Sequence, residues 1–339
     1  MTSTNEQPDT AAPFDPGRPG PGPGPGSDPD RDPDRDPGLG PGPDPDPDPD
    51  PDPDAGPGTV ELRRVMPASG GPGTRLRVVL LCSDDPLHTY LRTLLAARLD
   101  LVATVLEPGD AQRRRQRRKR RHYDLAARRY QEWRSRITGR SRRRARFFDR
   151  LAEGLPPVGS PCHTVESVND RSARELVAEL APELTVVCGT MILGRRLLTS
   201  TPGVIVNLHG GWLPEYRGNH GYYFAYKAGD WERVGATLHL VVPTLDTGPV
   251  LARVRPETRP RDTDERLSAR AGQLAALRLV ELALAYEQGT TLTAVPQPDR
   301  GTTYRHRDRT PTGELLLWLR RRAGRHRVPV RPAYRDGGT

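Results

Sequence analysis

The stretch VIVNLHGGWLPEYRGNHGYYFAYKAGD, residues 204–230, opens as an apolar strand and then sets Asn207 and His209 where further Val or Ile would be expected. An apolar run without polar alternation is the pattern of a strand covered on both faces. The same grammar recurs upstream in RVVLLC (77–82), DLVATVLE (100–107) and LTVVCG (184–189), with a shorter candidate in SPCHTVESV (160–168). Between them, DPLHTYLRTLLAARL (85–99) and VNDRSARELVAELAPE (168–183) carry apolar residues at helical spacing. Strand alternating with helix predicts an α/β fold, Rossmann-like, with a mainly parallel twisted sheet.

Beyond residue 230 the pattern changes. RVGATLHLVV (233–242) and GPVLARVRPE (248–257) are separated by a short link, which predicts an antiparallel pair added to the sheet. Residues 262–289 read as one long helix, started by Asp262 three residues before Glu265 and stopped at Gly289. The remainder, 301–339, reads as a basic tail in which ELLLWLRRRAG forms an amphipathic turn or two.

Residues 1–75 offer almost nothing apolar. Alternating Pro, Asp and Gly predict a disordered, extended acidic arm, because burial cannot offset the entropy of ordering. The domain proper is then 76–300. The formal charge of +9 is concentrated in residues 112–150, where eighteen Lys and Arg face three acids. This Arg-rich segment is expected as a helical insertion over 110–153, one or two helices anchored by Tyr123, Tyr130, Trp133, Phe147 and Phe148. The plain reading is a solvated helical excursion inflated by a composition in which fifty of fifty-two basic residues are Arg. The functional reading is a surface for an anionic partner, nucleic acid included, which the acidic arm would screen at low salt.

Several functions lose ground. The first strand runs into CSDDPLHTY without a glycine, so a dinucleotide pyrophosphate has no cradle there. No GxxxxGK[ST] and no GxSxG is present. Three cysteines, Cys82, Cys162 and Cys188, fit neither a disulfide framework nor a metal site, which favours a reducing cytoplasm and a protein without bound metal. No run approaches a membrane span.

Ligands of open α/β sheets sit beyond the carboxyl ends of the strands. Asn207 and His209 lie there two residues apart, so they project to one side. VPTLDTGPVL supplies Asp246 on a loop between two strands. An amide, an imidazole and a carboxylate without a nucleophile suit acyl transfer between amines: donors for a developing oxyanion and a base for the amine proton. Taken singly, each residue is more often a turn former or a satisfied polar residue than a catalyst.

The run from Asn207 to Leu251 resembles the folate-dependent formyltransferases, a family that includes glycinamide ribonucleotide transformylase, methionyl-tRNA formyltransferase and the sugar N-formyltransferases. Asn207-x-His209, LPEYRG (213–218) and LDTG (245–248) stand in the family's order, with VVCGTMILGRRLL (186–198) upstream. The resemblance implies 10-formyltetrahydrofolate as cofactor, bound near Met191, Ile192 and Leu193 and against Val242, Pro243, Thr244 and Leu245. It implies Asn207 and a protonated His209 on the oxyanion of the tetrahedral intermediate, with Asp246 holding the imidazole. Gly210, Gly211, Trp212, Leu213 and Arg217 would form the acceptor-side loop. Gly210 and Gly211 replace the family's usual Pro-Ser, which predicts a more mobile loop. The glycine-free first loop speaks against glycinamide ribonucleotide, so a small-molecule amine such as an amino sugar, a sugar nucleotide or a specialised metabolite is the expected acceptor. The alternatives are a hydrolase of the same fold and a nucleic-acid-binding protein on an inactive fold. Nothing in the sequence marks an oligomeric interface.

Overall fold

The computed structural model describes residues 58–65 and 74–336. The expectation of a disordered arm concerns mainly residues 1–57 and 66–73, which lie outside the described residues. In chain order the elements are β1 (Val60–Leu62), β2 (Arg77–Cys82), α1 (Pro86–Arg98), β3 (Asp100–Leu106), α2 (Gly109–Arg118), α3 (His122–Ile137), α4 (Arg140–Ala152), β4 (Cys162–Thr164) and α5 (Arg171–Leu180). The second half adds β5 (Leu184–Cys188), α6 (Arg195–Ser200), β6 (Val204–His209), β7 (Tyr216–Gly218), α7 (Gly221–Ala228), β8 (Ala236–Leu240), β9 (Val250–Arg255) and α8 (Asp264–Glu287). It closes with β10 (Leu292–Ala294), β11 (Thr302–Tyr304), α9 (Pro311–Arg322) and β12 (Tyr334–Arg335).

One sheet of eight strands carries the fold, in the order β12-β9-β8-β6-β5-β2-β3-β4. From β6 to β4 all neighbours are parallel, and β8, β9 and β12 add on by antiparallel pairing. Because side chains alternate along a strand, the two faces bury separate clusters. Leu80, Val186, Val206 and Leu208 pack with α1, α4 and α8. Val79, Leu81, Val105 and Val187 pack with α5 and α6 on the opposite face. The result is the expected α/β sandwich, with Asn207 and His209 on the face of α5 and α6, in line with Ile205.

Helix α1 starts where Asp85 accepts from the Leu87 backbone N–H at 2.9 Å and Pro86 occupies the first turn. It buries Leu87, Leu91, Leu94 and Leu95, the stripe read from spacing. The long helix α8 is capped differently from expectation. Thr263, not Asp262, stands at the N-cap and accepts from Arg266 N. Asp262 instead pairs with Arg270 and accepts from Arg259 N, because its side chain faces back into the preceding turn.

Three boundaries shift. Residues 58–65 are ordered within the stretch assigned to the arm: β1 pairs antiparallel with β10, and Arg64 behind it forms an ion pair with Glu183 at 2.8 Å and donates to the Glu287 carbonyl. The insertion comprises three helices, not one or two, broken at Arg120 and at Gly139, both in the left-handed region. Of its expected anchors only Phe148 is fully buried, while Tyr123 and Trp133 are exposed. Ion pairs fasten it instead, through Arg134 to Glu314, Arg140 to Glu265 and Arg144 to Asp85. Within the segment expected as a tail, residues 301–336 are also built in. Strand β11 pairs with β7, β12 extends the main sheet, and three turns of α9 bury Leu317.

Gly203 sets the entry of β6. Its φ is +73°, and a Cβ there would lie 2.3 Å from the Glu183 carbonyl oxygen. Gly203→Ala is expected to destabilise the fold by about 1–3 kcal/mol, read as a lowered urea midpoint at unchanged slope.

Candidate active site

Strand β6 ends in the site because its last residues lie opposite β8 in a fixed register, Asn207 against His239 and His209 against Thr237. His239 Nδ1 donates to the Leu240 carbonyl at 2.8 Å, which leaves Nε2 to accept from the Asn207 amide at 3.0 Å. Burial, then the neighbouring His209, push the His239 pKa down to about 4 against the opposing pull of Asp246. Neutral His239 thus fixes which end of the Asn207 amide faces it. His209 is buried, and its Nε2–H donates to the Tyr216 carbonyl at 2.9 Å.

Asp246 comes from the loop between β8 and β9 and sits at φ +53°, a left-handed conformation rare for a residue with a side chain. Several contacts hold it there. Gln297 Nε2 donates to the Asp246 and Gly248 carbonyls at 3.0 and 2.6 Å. A Cβ at Gly248 would fall 1.8 Å from the Leu240 carbonyl oxygen, so the loop closes this tightly only with glycine. The carboxylate accepts from Gly218 N at 2.8 Å, and it lies 3.5 Å from His209 Nδ1 and 3.8 Å from His239 Nε2. The side chains of His209 and Asp246 are 7% and 9% exposed, so this charge contact is largely shielded from water.

Asn207, His209 and Asp246 are therefore brought together as the spacing implied. Nε2 of His209 faces the Tyr216 carbonyl at 2.9 Å and Nδ1 faces the Asp246 carboxylate at 3.5 Å.

The two loops expected at the cofactor meet on one face: Leu193 and Val241 belong to the same apolar cluster. Met191 and Val242 are half-buried, Pro243 and Thr244 exposed, and Ile192 and Leu245 present 53% and 38% of their apolar surface. The loop after β5 is pinned by residues not anticipated from the sequence. Glu107 is wholly buried and accepts from Met191 N at 2.9 Å, burial raising its pKa. Gln112 of the insertion donates to the Gly189 carbonyl at 2.9 Å, and Asn169 brackets the loop through Ile192 and Gly194.

The acceptor-side loop is tightly packed: a Cβ at Gly210 would stand 2.8 Å from the Tyr222 ring, and one at Gly211 2.4 Å from the Tyr216 carbonyl oxygen and 2.8 Å from His209 Nε2. The glycine pair lets the chain close over the imidazole. Leu213 is fully buried, Trp212 packs against Tyr334 under Arg253, and Arg217 turns to the Pro298 carbonyl at 3.4 Å. These three support the loop and are not gathered at the triad. His239 and Gln297 were missed. His239 carried a signal, a histidine alternating with Thr237 on the strand after the loop, whereas Gln297 sits in an irregular segment and carried none.

An amide, an imidazole and a carboxylate joined across three elements at the carboxyl edge of a mainly parallel sheet define an α/β enzyme site of the group-transfer kind. The formyl transferase family profile matches residues 99–282, more than half of the chain. The chain belongs to this family. It is 32% identical over 150 residues to a methionyl-tRNA formyltransferase of Stenotrophomonas maltophilia (strain R551-3), covering 44% of this chain and 48% of the relative. It is 29% identical over 243 residues to that of Corynebacterium aurimucosum, covering 71% and 65%. The chain thus spans about half to two thirds of the length of these curated relatives. A solved phosphoribosylglycinamide formyltransferase from Anaplasma phagocytophilum overlaps 63% of this chain and 88% of its own, at 21% identity and a TM-score of 0.44. No helix among the described residues is long and apolar enough to cross a membrane.

The buried His239 sets a pH dependence. Its folded pKa lies below the ordinary histidine value, so between the two the unfolded chain binds the extra proton and stability falls as pH drops from about 6.5 toward 4. His239→Gln should remove about one proton from that slope, measured by urea unfolding at several pH values; an unchanged slope would show that His239 is not held neutral.

Proposed function

We propose that the protein transfers a formyl group from 10-formyltetrahydrofolate to the amine of a small-molecule acceptor, an amino sugar, a sugar nucleotide or a specialised metabolite. The observation that carries this reading is the 3.5 Å approach of the Asp246 carboxylate to His209 Nδ1 beside Asn207. When bound, the folate supplies the activated formyl carbonyl. The residues present fit it: Ile192 and Leu245 leave apolar surface at the rim of the two loops that a flat pterin would cover. Asn207 commits one amide N–H to His239 and keeps the second for a developing oxyanion. The His209–Asp246 pair takes the proton shed by the acceptor amine, which then lies between ring and carboxylate. Short, stiff, buried groups of this kind need little rearrangement during reaction.

A small acceptor is favoured by crowding. Tyr222 covers Gly210, and Arg144 of the insertion reaches Asp85 at the head of α1. Burial alone would raise the Asp85 carboxyl, but the guanidinium of Arg144 and the ring of His88 bring it down to about 2, so it stays ionised and holds α4 in place. A second reading, in which the amine is carried on a nucleic acid, is supported by the outer face of the insertion. Residues 117–121, Arg-Arg-Lys-Arg-Arg, are all exposed. The hydrolase alternative uses the same pair to activate water. An inactive, purely binding protein is disfavoured, because binding does not require Asn207, His209 and Asp246 to be gathered.

Incubation with 10-formyltetrahydrofolate and, in separate arms, amino sugars, amine-bearing sugar nucleotides and aminoacyl-tRNA should yield tetrahydrofolate and a one-formyl mass gain in a small-molecule arm. Alanine at Asn207, His209 or Asp246 should each lower kcat by about 10²–10⁴-fold. Undiminished turnover by His209→Ala would remove the mechanism, and formate release without any amine would establish the hydrolase instead.

A further inference from the structure

A second site lies apart from the triad and shares no residue with it. Helix α7 begins at Gly221, packed on Gly211, and runs to Tyr226, which forms the floor of a cleft of about 640 Å³ between the turn before α8 and the end of α9. That volume is ordinary for a small-molecule pocket. Four guanidinium groups line it, from Arg261, Arg321, Arg322 and Arg327. Among the described residues none of the four has a carboxylate partner, in contrast to the paired arginines that fasten the insertion. The one carboxylate in the wall, Asp262, is matched by Arg270 and by the Arg259 N–H. The cleft is therefore left with positive charge that nothing in the described chain neutralises. Composition alone would spread arginines over the surface; here they converge on a hollow.

Two further features narrow the ligand. Trp318 on the rim is 50% exposed, with the Arg322 guanidinium 5.2 Å from its ring centre, a stacked layer that a flat heterocycle can extend. His326 also lines the wall, its ring packed against Tyr226 and Trp231. Burial, then the nearby Arg321, lower its pKa. Arg261 sits at φ +70°, the kind of backbone strain that gathers at binding sites.

We propose that this cleft binds a nucleoside diphosphate, its two phosphates on Arg261, Arg321 and Arg327 and its base against Trp318 and Arg322. Phosphate suits the planar guanidinium fork, and the base suits the half-exposed indole. A free nucleotide is favoured over a nucleic acid because the four arginines line a hollow of about 640 Å³, a volume that suits one small molecule. The inference is independent of formyl transfer, since it concerns binding at other residues.

Calorimetric titration of the full chain with ADP, pyrophosphate and adenosine at physiological salt tests it. ADP should bind at one site with a Kd on the order of 10 µM, and pyrophosphate and adenosine at least about tenfold more weakly. The double variant Arg321→Glu, Arg327→Glu should weaken ADP by about twentyfold or more, with an unchanged circular dichroism spectrum. Trp318→Leu, a change at an exposed position, should weaken ADP while leaving pyrophosphate as it was. ADP binding that survives the double variant, pyrophosphate that binds as tightly as ADP, or an oligoribonucleotide that binds far tighter and competes with ADP would each overturn the proposal.

Discussion

The carboxylate of Asp246 touches three parts of the molecule at once: the β7 backbone through Gly218 N, the ring of His209 at the end of β6, and the ring of His239 on β8. A charge this shielded from water is tolerated only where several donors and a partner face it. Much of the local structure follows from that requirement. Gly248 admits the tight loop, Gln297 ties its carbonyls, and the glycine pair after His209 lets the chain close over the imidazole. His239, kept neutral by burial, orients Asn207 from the other side. The three polar side chains owe their geometry to the fold.

Much of this was legible in the sequence. Unbroken apolar runs such as RVVLLC gave the parallel strands, because a strand buried on both faces cannot alternate. The spacing of Asn207 and His209 placed them on one side, and the order of motifs placed Asp246 beside them. Failures came where tertiary contacts override local signals. Asp262 three residues before Glu265 looked like a helix start, but an ion pair to Arg270 claimed it and Thr263 took the cap. For Trp212, Leu213 and Arg217, expected on the acceptor side from their place after the motif, the structure shows what the sequence did not, namely contacts with Arg253, the core and the Pro298 carbonyl. Gln297 and Glu107 act on loops 49 and 84 residues away, contacts that no local pattern encodes.

The insertion shows how one compositional feature splits into several physical roles. Arg134, Arg140 and Arg144 are structural, paired with carboxylates of the domain, and Gln112 reaches the loop beside the proposed folate pocket. Its outward arginines, residues 117–121 among them, face solvent. The distal cleft follows the opposite logic, with cations gathered on a hollow and, among the described residues, without carboxylate partners. Counting arginines could not separate these cases; only their partners do.

The most direct test of the central claim is a crystal structure of the protein with a non-transferable formyl-folate analogue. The account predicts the formyl oxygen within about 3 Å of the Asn207 amide nitrogen, the heterocycle between the loops of Ile192 and Leu245, and Asp246 still against His209. An analogue seated elsewhere, or Asp246 swung away from His209 in the complex, would contradict it.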